Sequence, residues 1–266
     1  MSLQKHSNLI IDLDQQPLFL ISDLHAGAHK PDLEFHIQKK LELLAHIIHQ
    51  ENGQLIILGD LFDYWHESNN ESPPCLSDWT LFLKQLHTFR RPTILLTGNH
   101  DHWASSGMSE LGFILVQDFI ILHSSHSKWF LIHGDGLPDD QGQLIRSGFN
   151  KIFRDPTVNK YFDKLPFRLR VYLMKSFSQY RRYRIEADDN HSQDSNYIEN
   201  WLKKSQFNGL VYGHTHQADY KEIDRQFLVN LGTFYSDSLV MTIQSKSHKV
   251  STLDELINNY RSTSAQ

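Results

Sequence analysis

The sequence predicts an α/β fold on three observations. Short apolar runs alternate with longer helical patterns, the first five elements read β-α-β-α-β, and most runs end directly on a polar motif. Residues 18–22 read as a buried strand that stops at Asp23. Ile37, Leu41, Leu44 and Ile48, joined by Leu43 and Ile47, make the apolar face of a helix. Residues 54–58 read as a second strand, ending at Gly59-Asp60. Trp79, Phe82, Leu83 and Leu86 mark another amphipathic helix, after which Pro92 opens a third strand, 93–97, ending at Gly98-Asn99. Strand-helix alternation of this kind implies parallel pairing with helical crossovers. Three further strands follow at 128–132, 210–212 and 227–231. The first two run straight into His133-Gly134-Asp135 and Gly213-His214-Thr215-His216.

Composition sets the outer bounds. A chain of 266 residues holds one large domain with room for an insertion, here expected as a domain over 1–258 with a basic helical insertion at about 140–205. Residues 259–266 have little to bury and are expected to fray, and the polar stretch 186–196 reads as a mobile connection. The single cysteine, Cys75, excludes an intrachain disulfide and fits a reducing compartment. The first residues lack the apolar stretch of a secretory signal, and no apolar run approaches the roughly 18 residues of a membrane span. A soluble protein is expected. The net charge of −5 hides a segregation: residues 143–184 hold eleven Lys/Arg against two Asp, a local +9, which leaves −14 for the remainder.

The polar motifs carry the chemistry. In open α/β sheets the carboxyl ends of the strands line one edge, where ligands bind. Strands delivering Asp23 and His25, then Asp60, Asn99 and His100, His133, and His214 and His216 would pool these groups in one crevice. Imidazoles and carboxylates without a thiolate suit Mn²⁺, Fe²⁺ or Zn²⁺. Two such cations can clamp the attacking and leaving oxygens of an in-line phosphoryl displacement. Each motif by itself has a plain structural reading, as a turn aspartate, a surface histidine or a hydrogen-bonded core histidine. Their joint occurrence, in this order, is what points to a metal centre.

The series DLH, GDLFDYW, GNHD, HGD and GHTH resembles the calcineurin-like metallophosphoesterase superfamily, from about Leu18 to Phe234. The resemblance implies a four-layered α/β/β/α sandwich, with the helical insertion as a cap. It also implies that Asp23, His25 and His216 bind one metal, that Asn99, His133 and His214 bind a second, and that Asp60 bridges the two. His100 would then polarise the phosphate or protonate the leaving oxygen, with Asp63 placed to orient it. The implied cofactors are two divalent ions, Mn²⁺ foremost, with Fe²⁺ or Zn²⁺ as alternatives.

Departures within the motifs narrow the substrate. Relatives that act on phosphoserine and phosphothreonine proteins carry Arg where this chain has Tyr64, so a phosphate-clamping guanidinium is missing. The tract from Gly59 to Trp65 is similar to UDP-2,3-diacylglucosamine diphosphatases, as are His133 to Leu137, Asp139-Asp140 and Phe153-Arg154-Asp155-Pro156. Many members of that family carry Arg at the position of His100, and others keep His. The resemblance implies a lipid A enzyme that is cytoplasmic and peripheral to the inner membrane. Its substrate would be a nucleotide-activated lipid, and no protein partner is implied.

Leu169, Leu173, Phe177 and Tyr180 form one apolar helical stripe, with Arg168, Arg170, Lys175, Arg181, Arg182 and Arg184 around and beyond it. A basic amphipathic helix favours an anionic membrane surface, and the region around Arg168, Arg170, Lys175 and Phe177 is the candidate substrate contact. The plainer alternative is that the stripe packs on the domain. A phosphodiesterase acting on another nucleotide diphosphate or on nucleic acid is the rival activity, because basic and aromatic residues interleave. Against nucleic acid, the basic residues are confined to one segment of an acidic chain. A non-catalytic scaffold would be expected to have lost ligands, and all seven are present.

Overall fold

The structure, a computed structural model, describes residues 5–65, 77–86, 91–104, 106–139, 144–145, 151–152, 154–187 and 191–264. Thirteen strands are present among them: β1 (Lys5–Asp12), β2 (Leu18–Ile21), β3 (Gln54–Ile57), β4 (Thr93–Leu96), β5 (Phe113–His123), β6 (Lys128–Leu131), β7 (Leu137–Pro138), β8 (Leu144–Ile145), β9 (Gly209–Tyr212), β10 (Asp219–Ile223), β11 (Gln226–Asn230), β12 (Leu239–Gln244) and β13 (Ser247–Thr252). The helices are α1 (Pro31–Gln50), α2 (Ser77–Leu86), α3 (Ser106–Glu110), α4 (Pro156–Phe162), α5 (Phe167–Ala187), α6 (His191–Lys204) and α7 (Leu253–Ser264).

One sheet runs β10-β11-β9-β6-β5-β4-β3-β2-β12-β13, with β1 added alongside β5. Strands β2, β3, β4 and the start of β5 are parallel, as are β6, β9 and β11, while β5 and β6 pair antiparallel. Strand β5 serves both halves: Phe113 to Val116 pair with β4, and Ile120 to His123 pair with β6. The sheet is creased between them and curls back on itself.

Side-chain alternation records the result, because successive residues of a strand face opposite sides. Phe19, Ile21, Leu55, Ile57 and Leu95 pack on one side, in a core completed by α1, α2 and α7. Leu18, Leu20, Ile56, Leu58, Ile94 and Leu96 face the other way, into a core shared with Leu131, Val211 and Val229 from the opposite half. Phe130, Ile132, Leu210 and Leu228 then face outward onto Ile198, Trp201 and Leu202 of α6. The four layers are thus helices, half-sheet, half-sheet and helix, the predicted α/β/β/α sandwich.

Helix α1 starts with Pro31 and has Asp32 and Glu34 in its first turn, a residue set suited to the positive end of a helix dipole. It buries Ile37, Leu41, Leu44, Ala45, Ile47 and Ile48. Leu43 is instead 46% exposed, one step around the helix from the buried face. The stretch read as a mobile connection is mostly helical: α5 runs to Ala187 and α6 begins at His191, with 188–190 outside the described residues. Part of the tail expected to fray is helical. Helix α7 continues to Ser264, and Tyr260 packs against the core beside α1. Among the described residues no helix is long and apolar enough to cross a membrane.

Between β6 and its neighbour β9 the chain leaves the sheet to form α4, α5 and α6. Helix α5 leaves exposed the first two residues of the stripe that the sequence suggests, the other two having side chains outside the described residues. Leu169 and Leu173 are 42% and 40% exposed, whereas Arg170, Met174 and Ser178, one position on, are buried. The polar members of that buried face have partners: Arg170 Nη1 donates to Asp163, and the Ser178 hydroxyl to Asp63. Hydrogen bonds thus offset part of the cost of burying polar groups on this face.

Candidate metal centre

Every candidate ligand follows the carboxyl end of a strand, and the two half-sheets bring these ends together. Asp23 and His25 follow β2, Asp60 follows β3, Asn99 follows β4, His133 follows β6, and His214 and His216 follow β9. The first two loops zip together through backbone bonds. The Leu24 and His25 amides both donate to the Asp60 carbonyl, at 3.0 Å each, and the Ala26 amide donates to the Leu61 carbonyl at 2.9 Å. Leu61, Phe62, Tyr64 and Trp65 anchor the second loop in the core, none more than 1% exposed.

Asp23, His25, Asp60, His214 and His216 all have positive φ, between 48° and 69°. Left-handed backbone in a non-glycine residue is uncommon and is held only where surroundings over-determine it. All five residues belong to clusters of candidate metal ligands. Gly98 meets a different demand, close approach. A Cβ there would overlap Oδ1 of Asp60 and lie 2.8 Å from both the Asp60 amide nitrogen and His133 Nε2.

The side chains form three clusters whose candidate ligand atoms lie within 4.8 Å of one another: Asp23, His25 and His216; Asp60, His133 and His214; and His25, Asp63 and His100. Nε2 of His25 lies 3.6 Å from Asp23 Oδ1 and 3.0 Å from His216 Nε2. Asp60 Oδ2 stands between the groups, 3.4 Å from His133 Nε2 and 3.9 Å from Nε2 of both His25 and His100. Asn99 Oδ1 lies 3.2 Å from His133 Nε2. All seven predicted ligands therefore come together.

The other atoms of these residues are held by the protein. His133 Nδ1 donates to the Leu58 carbonyl at 2.7 Å, which turns Nε2 toward Asp60. Asp23 Oδ2 accepts from the Ser22 hydroxyl and from the His214 amide, which leaves Oδ1 aimed at the imidazoles. Asp60 Oδ1 accepts from the His100 amide at 3.0 Å. His100 Nδ1 donates to the Asp63 carbonyl oxygen at 2.5 Å. The predicted orienting contact from Asp63 thus comes from its backbone. Its carboxylate faces His25, with Oδ1 3.8 Å from His25 Nδ1.

The electrostatics follow from burial and crowding. Burial disfavours both the ionised carboxylates and the charged imidazoles. Asp60 nonetheless stays well below the usual carboxylate range because His133, His100 and His25 surround it, and Asp23 is lowered by His216 and His25. Burial opposes the charge on His133 too, yet Asp60, Asp23 and Asp135 push its imidazole up to about 10. His216 is raised against its burial by Asp23, while burial wins at His25 and lowers it.

A divalent cation fits this donor set. Asp23 Oδ1 is buried without a hydrogen-bond partner, although two imidazole nitrogens lie within 3.6 Å of it. A cation among the three atoms would satisfy that oxygen and accept the imidazole lone pairs.

Several supporting residues carried no signal of a role in the sequence reading. Asp101 accepts from the Gly98 and Leu61 amides, at 2.7 and 2.8 Å, and so ties the second and third loops together. Glu34 accepts from the Gly27 and His29 amides and from the Trp79 indole, bracing the first loop. Asp101 sits within the GNHD tract, but bracing by Glu34 depends on contacts remote in the chain.

The predicted substrate contacts separate. Arg168 and Lys175 are exposed, whereas Arg170 is 3% exposed, pairs with Asp163 at 3.1 Å and packs over the Phe167 ring. The side chains of Phe177, Tyr180, Arg181, Arg182 and Arg184 lie outside the described residues, as do Asp140, Phe149 and Phe153.

The chain matches the family model for calcineurin-like phosphoesterases over residues 17–218. It is 30% identical over 207 residues to a UDP-2,3-diacylglucosamine hydrolase of Coxiella burnetii (strain RSA 331 / Henzerling II), covering 74% of this chain and 79% of that one. A protein of the same name from Histophilus somni (strain 129Pt) is 24% identical over 242 residues, covering 85% and 96%. Another from Vibrio parahaemolyticus serotype O3:K6 (strain RIMD 2210633) is 24% identical over 235 residues, covering 85% and 93%. Matched over most of its length and carrying clusters of His and Asp that could hold metal ions, this chain belongs to the calcineurin-like phosphoesterase family and is a metal-dependent phosphoesterase.

Proposed function

We propose that this enzyme hydrolyses the diphosphate of UDP-2,3-diacylglucosamine to UMP and 2,3-diacylglucosamine 1-phosphate, a step of lipid A biosynthesis. The observation that carries this reading is the exposed apolar pair Leu169 and Leu173 on α5, the helix whose Ser178 touches Asp63 of the candidate metal clusters. Tyr161 and Tyr172 add exposed aromatic area at 64% and 67%. Such area on a basic insertion suits a doubly acylated substrate and an anionic bilayer surface. The relatives' names support the same substrate.

In this reading Asp23, His25 and His216 would hold one cation and Asn99, His133 and His214 the other, with Asp60 shared between them. When bound, two divalent ions such as Mn²⁺ supply a nucleophile at neutral pH and neutralise phosphate charge. The neutral Asn99 limits the negative charge of the centre and so favours an incoming anion. His100, held through Nδ1 by the Asp63 carbonyl, presents Nε2 toward the reacting phosphate to polarise it or to protonate the leaving oxygen. Arg168 and Lys175 supply cations near the diphosphate, since Arg170 is engaged within the insertion. The enzyme works at the cytoplasmic surface of the inner membrane.

The test is Mn²⁺-dependent release of UMP from UDP-2,3-diacylglucosamine in detergent micelles, run beside a p-nitrophenyl phosphodiester. Turnover of the lipid nucleotide far above the generic ester is expected. Activity on the generic ester alone would keep the metal chemistry and discard the substrate, with oligonucleotides the next compounds to assay.

A further inference from the structure

The insertion touches the floor of the metal centre through three side-chain links. Trp103, four residues after Asn99, donates its indole N–H to Asn159 of α4 at 2.7 Å and stacks on Phe162 at 5.1 Å. Ser178 of α5 donates its hydroxyl to Asp63 Oδ1 at 2.6 Å, with both residues 1% exposed. Arg154, just before α4, reaches furthest. Its Nε donates to Asp135 at 2.9 Å, its Nη1 to the Gln117 carbonyl at 3.2 Å, and its Nη2 to the Thr97 and Gly98 carbonyls at 3.0 and 3.1 Å.

These acceptors lie on three separate segments. Thr97 and Gly98 immediately precede Asn99, Asp135 follows His133 by two residues, and Gln117 lies at the crease where β5 passes from one half-sheet to the other. One guanidinium therefore fixes, relative to each other, the two loops that supply Asn99 and His133. A guanidinium has five N–H donors in a rigid fork, and most of these are directed at protein acceptors. That geometry suits a strut rather than a clamp for substrate phosphate.

Ser178 acts on the other cluster. The carboxylate oxygen it holds is the one that lies 3.8 Å from His25 Nδ1, a buried nitrogen without a hydrogen-bond partner. In metal sites the imidazole nitrogen away from the cation is commonly held by a carboxylate, which fixes the ring.

We propose that Arg154 and Ser178 are positioning residues through which the insertion sets the two halves of the metal centre, so that the cap is a structural part of the cation site as well as a substrate cover. This rests on the reading of Asp23, His25, Asp60, Asn99, His133, His214 and His216 as cation ligands.

The test is Mn²⁺ affinity, read as free Mn²⁺ by electron paramagnetic resonance during titration of the full-length protein. The variants are Arg154→Lys, Arg154→Ala and Ser178→Ala, with Lys151→Ala as an exposed basic control from the same insertion. Both Arg154 variants should weaken Mn²⁺ binding by about 10- to 100-fold, with Ser178→Ala near the lower end of that range. Lysine should not rescue, because a point charge cannot span three acceptor segments. Lys151→Ala should bind as the wild type does. Thermal melting of the metal-free proteins separates positioning from collapse. If Arg154→Ala melts too early to titrate, Ser178→Ala and Arg154→Lys decide the matter. Wild-type Mn²⁺ affinity in both, with only KM for substrate raised, would overturn the proposal and make Arg154 a substrate contact. A wild-type protein that binds no Mn²⁺ would instead overturn the cation reading beneath it.

Discussion

Oδ2 of Asp60 lies 3.4 Å from Nε2 of His133, at the point where a loop from one half-sheet meets a loop from the other. The same oxygen is 3.9 Å from His25 Nε2, so it lies between the cluster of His133 and His214 and that of Asp23, His25 and His216. Replacing Asp60 by Ala should therefore strip both cations, not one. Metal analysis of the variant should show near-zero Mn²⁺ stoichiometry, and turnover should fall by more than the roughly 100-fold typical of residues that only support a ligand. Retained activity would contradict a two-cation mechanism.

His100 is expected to behave differently. Its Nδ1 is held by the Asp63 carbonyl and its backbone amide supports Asp60, so His100→Gln keeps the backbone contact and removes the imidazole. We expect kcat to fall about 10²- to 10⁴-fold, the range for a lost proton-transfer group, with metal content unchanged. A matching loss of metal would make His100 a ligand.

Proton linkage offers a third check. His133 is pushed up to about 10 in the metal-free protein, so it is protonated at neutral pH, and His216 is raised as well. A cation needs the imidazole lone pair, so binding must expel the His133 proton and affinity must climb with pH. Calorimetry of Mn²⁺ binding in two buffers of different ionisation enthalpy should report net proton release at pH 7. The sign for stability is the reverse. A raised imidazole pKa stabilises the folded metal-free protein fully below about 6.5, and this contribution fades as pH rises through about 10. The melting temperature of the metal-free protein should carry that downward component, and saturating Mn²⁺ should suppress it.

Gly98→Ala should disable the centre without replacing a candidate ligand. Its Cβ would overlap Asp60 Oδ1 and press on the Asp60 backbone and the His133 ring, which cannot all move aside. Overpacking of this kind typically costs about 1–3 kcal/mol, so we expect a lowered melting temperature together with loss of Mn²⁺ binding. Wild-type metal affinity in this variant would show that the two loops are freer than the geometry implies.

The exposed stripe of α5 gives a last prediction. The double substitution Leu169→Glu with Leu173→Glu should lower turnover of the micellar lipid nucleotide about 10-fold or more, by opposing burial of both side chains in lipid. Hydrolysis of a soluble p-nitrophenyl phosphodiester should stay unchanged. An equal loss on both substrates would mean that the stripe supports the fold.

Much of this protein was legible in its sequence because local patterns were strong. Strands β2, β3, β4, β6 and β9 are short, bounded apolar runs, and each runs into the motif it delivers. A strand buried on both faces needs a continuous apolar run, so its sequence announces it. Strands β10 and β13, at the two edges of the sheet, are largely polar and were not expected, and neither was the long β5. The apolar stripe at Leu169 and Leu173 was legible as a pattern, but which face of α5 would be buried was not. The sequence by itself determined the make-up of the candidate centre: the residue types and their placement at strand ends. Only tertiary structure decided how they are held. The crease in β5 brings His133 to Asp60, and hydrogen bonds from Ser178 and Arg170 stabilise a buried polar face of α5 that periodicity would have left in solvent. The physical reason is that apolar periodicity is written along the chain, whereas a buried polar group is stabilised by whatever partner the fold brings to it.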